Sequence, residues 1–258
     1  MLGMAAQRAI DGPLVSTGEH LVVVVAHPDD ETFGCGSLIA AAAAAGGRIS
    51  VVCATRGELG ERRPDPATDA WPLALVRQIE LFTAAATLGA EHVELLGYLD
   101  SGFDGEPDAA ALVSVPIAEL ANELAHVLDR LQPDVVLTID GSDGHRDHVH
   151  VRDGVAAAVR QLPAPVTVVH ACLSNSLMRR WATVMAEIDP SVPYLALDLD
   201  TLGRPDHELT PIDNSAVLDV RQRAIAVHRS QASPYENLPD DLRRALLTVD
   251  HVVDATPS

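Results

Sequence analysis

Residues Leu21–Gly36 read LVVVVAHPDDETFGCG, and the fold turns on how that run is read. Five apolar residues, Leu21 to Val25, lead directly into Ala26-His27-Pro28-Asp29-Asp30-Glu31. A continuous β-branched run predicts a strand buried on both faces, as in the middle of a parallel sheet. Pro28 cannot donate to a ladder, so the strand ends there. One imidazole and three carboxylates are thereby delivered to the carboxyl end of a central strand. Open α/β sheets bind ligands at that edge.

Spacing sorts these groups. Residues three apart in a tight turn or helix start share a face, so His27 and Asp30 can converge on one point. Asp29 lies between them and points elsewhere. Two groups able to hold a divalent cation, with one free carboxylate beside them, suit metal-assisted hydrolysis. The plainer reading of any one of these acids is a helix first turn answering the dipole. Four ionisable groups within five positions after a buried strand are costly without a partner, which favours a site.

The rest of the chain supports an α/β class. Its 258 residues suffice for one large domain, taken as 1–258 with a core of about 19–232 and a C-terminal tail. Residues 1 to about 18 read as an extension. Hydrophobic content of 47% with only 3% aromatic implies a core of Val, Leu, Ile and Ala. Strands are expected at Ile49–Ala54, Val93–Leu96, Val135–Ile139, Pro165–Ala171 and Tyr194–Leu199. Helices are expected at Gly34–Ala45, Leu75–Leu88, Ile117–Leu131, Val151–Gln161, Ser174–Ile188 and Val217–His228. This alternation gives a Rossmann-like, mostly parallel sheet with helices on both faces. The polar stretch Leu59–Trp71 leaves the same rim and reads as a substrate loop.

Composition also excludes function classes. A net charge of −19 opposes binding to nucleic acid or to an anionic membrane. Three widely spaced cysteines indicate neither a disulfide framework nor a Cys-type zinc site. The N-terminus lacks a signal-peptide pattern, so the expected location is cytoplasmic.

A second dense cluster follows the strand at Val135–Ile139: Asp140-Gly141-Ser142-Asp143-Gly144-His145-Arg146-Asp147-His148-Val149-His150. His145 and His148 repeat the offset of three. His150 lies about 200° around a helix from His148 and points away. His27, Asp30 and His148 then form a two-imidazole, one-carboxylate set that matches a catalytic zinc with an open position.

AHPDDE after a first strand and GHxDH after a later one resemble the PIG-L (LmbE-like) superfamily of zinc-dependent N-acetylglucosaminyl deacetylases. The similarity runs to about Gln231 and includes Thr55-Arg56-Gly57-Glu58, Arg77 with Glu80, Asp100-Ser101-Gly102 and His228-Arg229-Ser230-Gln231. In the mycothiol branch of that family a tyrosine stands where this chain has Asp143.

The resemblance implies zinc, or another divalent ion such as Fe2+, on His27, Asp30 and His148. It implies Asp29 as general base and His145, as imidazolium, stabilising the oxyanion. Asp147 would orient His145. Arg77 and Asp100 would bind sugar hydroxyls with Phe103 packing nearby. The implied partner is a small N-acetylated glycoside, and a homo-oligomer is left open because family members often assemble. Rival readings are a non-catalytic sugar- or metal-binding module on the same fold, a phosphoesterase, which would want more basic residues, and a nucleotide-binding protein, which lacks its glycine fingerprint.

Overall fold

In a computed structural model, residues 12–257 are described. One seven-stranded sheet runs through them: β1 (His20–Val25), β2 (Arg48–Thr55), β3 (His92–Tyr98), β4 (Val135–Ile139), β5 (Thr167–Cys172), β6 (Thr210–Asp213) and β7 (Val249–Asp254). Their order is β3-β2-β1-β4-β5-β7-β6. The first five are parallel; β7 runs antiparallel between β5 and β6, so β6 points the same way as the first five. The helices are α1 (Asp30–Phe33), α2 (Gly36–Ala44), α3 (Leu73–Leu88), α4 (Ile117–Leu131), α5 (Arg146–Val159), α6 (Asn175–Ile188), α7 (Leu218–Ile225) and α8 (Asp240–Thr248).

The period-2 geometry of β1 explains the layering. Leu21, Val23 and Val25 face the core shared with α2, α3 and α7, while Val22 and Val24 face the core shared with α4 and α5. All six residues of β1 are buried, as a central strand requires. Leu14 and Val15, in the expected N-terminal extension, are buried in the first of these cores. Residues 1–11 of that extension lie outside the described residues. A third, smaller cluster joins α6 to Leu238 and Leu242 beyond the sheet edge. No helix among the described residues is long and apolar enough to cross a membrane.

The edge of the sheet departs from expectation. Tyr194–Leu199 is not a strand; a 3-10 turn occupies Pro193–Ala196. Instead, β6 comes from the Asp200–Asn214 stretch, whose polar residues and prolines predict a loop, and the segment after Gln231 supplies α8 and β7, which sits inside the sheet. Pro211 is tolerated in β6 because β6 is the edge strand.

Candidate active site

The carboxyl ends of β1 and β4, adjacent in the sheet, bring the two clusters together. The chain leaves β1 through a sharp turn in which Asp29 has φ 130°, a left-handed conformation that costs a non-glycine residue on the order of 1–3 kcal/mol. Hydrogen bonds hold the turn. The Asp29 N–H donates to Glu31 Oε2 at 2.9 Å, and the Thr32 and Phe33 N–H groups donate to the Asp29 carbonyl at 2.9 and 2.7 Å. Glu31 is fully buried and also meets His228 Nε2 at 2.7 Å. The fourth ionisable group of the motif is therefore structural, and it ties the turn to the segment after α7.

Asp30 stands between two imidazoles. Its Oδ2 lies 3.5 Å from His27 Nδ1 and its Oδ1 lies 3.2 Å from His148 Nε2. Tetrahedral bonds of about 2.0–2.1 Å place neighbouring ligand atoms about 3.3–3.4 Å apart, and both distances are close to that. The far edge of each ring is anchored. His27 Nε2 donates to Asp147 Oδ2 at 3.0 Å, with Asp100 Oδ1 at 3.5 Å. His148 Nδ1 donates to Asp143 Oδ2 at 2.5 Å. Carboxylates behind imidazoles fix their tautomers and aim the other nitrogen at a metal.

His148 Nε2 supplies the test of fit. It is buried and makes no hydrogen bond, although Asp30 Oδ1 is 3.2 Å away. A buried imidazole nitrogen held this close to a carboxylate without a well-aligned hydrogen bond to it fits a shared cation. The groupings whose ligand atoms all lie within 4.8 Å of one another among the described residues are His27 with His145 and His148, and His27 with Asp100 and Asp147; Asp30 belongs to neither, since it meets the two imidazoles through different oxygens. The second grouping lies on the side of His27 that carboxylates already hold.

Asp29 points away from this pair, as the spacing argued. Its Oδ2 receives Arg77 Nη2 at 2.9 Å. Burial raises the Asp29 carboxyl to about 6, against the lowering pull of Arg77. Arg77 is itself buried on α3 and donates to the Pro28 and Gly57 carbonyls at 2.5 and 2.7 Å. Gly57 has φ 61°, and a Cβ there would stand 2.1 Å from Arg77 Nη1, so only glycine fits. Glu80, one turn further along α3, does not pair with Arg77. It accepts from the Ser230 N–H and hydroxyl at 2.8 and 2.6 Å.

Four expectations need correction. Arg77 is spent on Asp29 and two carbonyls, so it is not free for a sugar hydroxyl. Asp100 is buried behind His27 and accepts from the Gly102 N–H at 2.8 Å and the Leu59 N–H at 3.3 Å, so it too faces inward. The Asp147 carboxylate holds His27 and the Ser101 N–H rather than the His145 ring, and its Oδ1 accepts no hydrogen bond. The Asp147 backbone N–H is what reaches His145, donating to Nδ1 at 3.2 Å. Finally, burial and the neighbouring His27 and His148 lower the His145 pKa to about 4, which favours the neutral ring over the expected imidazolium. With Nδ1 accepting, its proton sits on Nε2.

Phe103 is half-buried and meets the His145 ring edge-on at 5.6 Å. Its loop is clamped by Arg146, which donates to the Gly102 and Gly105 carbonyls at 2.7 and 2.8 Å and to that of Ser101. Arg146 carried no sequence signal beyond standing between His145 and Asp147. His150 is half-buried and belongs to none of the metal-capable groupings.

Residues 22–159 match the PIG-L family, described as GlcNAc-PI de-N-acetylase. The chain belongs to that family. It is 35% identical over 231 residues to a protein of Mycolicibacterium vanbaalenii named 1D-myo-inositol 2-acetamido-2-deoxy-alpha-D-glucopyranoside deacetylase, covering 83% of this chain and 81% of that one. Among solved structures it is similar to the N,N'-diacetylchitobiose deacetylase of Pyrococcus horikoshii, with TM-score 0.57, 22% identity and coverage of 87% of this chain and 72% of that one. It is also similar to the 4-carboxy-2-hydroxymuconate hydratase of Pseudomonas putida, with TM-score 0.61, 20% identity and coverage of 93% and 97%. The second neighbour shows that the fold alone does not set the reaction. The chain is an amide-hydrolysing deacetylase on the strength of its relatives at 30% identity and above.

Proposed function

We propose that this protein removes the acetyl group from an N-acetylglucosamine-type glycoside, with a divalent cation held by His27, Asp30 and His148. The observation that carries the assignment is the buried, unbonded His148 Nε2 facing Asp30, with Asp29 alongside. Two imidazoles and a carboxylate favour zinc, and the carboxylate supplies the negative charge that a three-histidine set lacks. The bound cation would supply Lewis acidity toward water and the amide carbonyl.

The remaining chemistry belongs to the chain. Asp29, near pKa 6 and ionised at neutral pH, takes a proton from the attacking water and returns it to the leaving amine. Arg77 occupies Oδ2 and leaves Oδ1 for that exchange. His145 Nε2–H donates to the oxygen on which charge develops, and as a preorganised neutral donor it needs no protonation step. Asp147 acts through His27 as a positioning residue, and Asp143 does the same through His148. The neutral sugar-inositol glycoside in the name of the curated relative is the first substrate to test. The three cysteines are free and buried, which supports a cytoplasmic setting.

The experiment measures acetate release from an N-acetylglucosaminyl-inositol, N-acetylchitobiose and simple N-acetylglucosaminides, with zinc-loaded and chelator-stripped protein. Zinc-dependent release from one of them is expected. Inactivity on all of them by protein carrying one zinc per chain would overturn the reading.

A further inference from the structure

Three aromatic rings run in a row outward from His145. Phe103 meets His145 at 5.6 Å, Tyr194 meets Phe103 at 4.8 Å, and Trp181 meets Tyr194 at 6.4 Å, each edge-on. The chain has eight Phe, Tyr and Trp residues in all, so three in one row is a local concentration.

The row is held by the same pieces that hold the motif. Tyr194 sits in the 3-10 turn Pro193–Ala196, and Leu197, just after it, is seated on the second cluster. A Cβ built on Gly144 would lie 2.7 Å from Leu197 Cδ1. Trp181 is pinned through its indole N–H, which donates to the Pro234 carbonyl at 2.8 Å. Phe103 is fixed by the Arg146 clamp on its loop.

Tyr194 is half-buried, and its hydroxyl makes no hydrogen bond to the protein among the described residues and is not among the buried unpartnered atoms, so it is open to solvent and to a ligand. It faces the acidic side of the site: burial, and then the carboxylates of Asp143, Asp30 and Asp29, raise its pKa well above the usual phenol value. The hydroxyl therefore stays protonated and is available to donate to a ligand. A sugar offers both things this arrangement lacks, an apolar C–H face for the rings and oxygens for the hydroxyl.

Resting on the deacetylase reading above, we propose that Tyr194 is a substrate-binding residue: its ring and that of Phe103 form a wall for one face of the N-acetylglucosamine unit, and Tyr194 Oη donates to an oxygen of that sugar.

The test compares Tyr194→Phe and Tyr194→Ala with wild type on the substrate found above, with zinc content and melting temperature measured in parallel. Tyr194→Phe should raise KM about 3- to 10-fold, the worth of a neutral hydrogen bond, with kcat within about twofold. Tyr194→Ala should lower kcat/KM roughly 30- to 100-fold because the wall is lost as well. Zinc stoichiometry should be unchanged in both. A wild-type KM in Tyr194→Phe would overturn the proposal, because a merely structural ring is retained in that variant. Calorimetric binding of N-acetylglucosamine to zinc-loaded protein separates the two readings. Weaker binding by Tyr194→Phe alongside an inactive wild type would uphold Tyr194 and sink the deacetylase reading. Equal binding by both proteins would sink Tyr194 alone.

Discussion

The two clusters that meet at this rim are built on different plans. His27 to Glu31 leaves its strand through a strained residue and is braced from far along the chain. Arg77 comes from α3, Asp100 from the end of β3, Asp147 from α5 and His228 from beyond α7. Asp143 to His148 carries its own bracing. Asp143 accepts the His145 N–H at 3.1 Å and holds the His148 ring, and His145 caps the helix on which His148 sits, all within six residues. The first cluster can bear strain because tertiary contacts over-determine it. The second needs little of the fold around it beyond β4 and α5. Long-range bracing is what holds one carboxylate, Asp29, against Arg77 with a shifted pKa, a state that local sequence alone could not enforce.

The sharpest way to break this comparison is at Asp29. Asp29→Asn should retain zinc and lose roughly 10²- to 10⁴-fold in kcat, read by steady-state acetate release together with metal analysis. Near-normal turnover would mean that the strained turn presents something other than the base. Next comes the local brace. Asp143→Asn should weaken zinc binding about 10- to 100-fold in a chelator competition, because His148 loses the partner that orients it and raises its basicity. An unchanged affinity would show that α5 holds His148 without help.

The remote brace gives a pH signature. Arg77 lowers the Asp29 pKa, so Arg77→Met should raise it and move the acid limb of kcat/KM to higher pH. The base must be ionised, so activity is present above its pKa and lost as pH falls through it, and the variant should fail at a pH where wild type still works. An acid limb that stays put would assign that limb to another group. The smallest effect is expected at His150. It follows His148 by two positions yet serves neither cluster, and His150→Ala should leave kcat/KM within about twofold.

How much of this could be read from the sequence follows the same division. The β1 to β5 strands and α4 were legible because apolar runs and helical periodicity are local signals. Offsets of three on turns and helices fix a shared face, which is why His27, Asp30 and His148 stood out, and the structure places Asp30 within 3.5 Å of both imidazoles. Arg77 and Asp100 were assigned to the sugar because residue type and position on the rim do not say which way a buried side chain turns. Only the packing of α3 over Gly57 and Pro28 settles it. The same holds for Asp147, whose backbone meets His145 while its carboxylate meets His27. Strands β6 and β7 escaped notice because one contains a proline and the other sits behind a short helix, with neither showing clean alternation. Tyr194–Leu199 had the alternation, but Pro193 and the demands of packing on Gly144 made it a turn.

The reversed strand, β7, separates the five-strand parallel block that carries the candidate site from the edge of the sheet. The two clusters leave the carboxyl ends of β1 and β4, in the middle of that block. The stretch from α6 through the 3-10 turn attaches to that rim at few places, such as the Gly203 N–H on the Ser142 carbonyl at 2.8 Å and Leu197 against Gly144. Grafting a different 174–209 stretch between those anchor points would therefore be a route to new glycoside preferences that leaves the hydrolytic machinery standing.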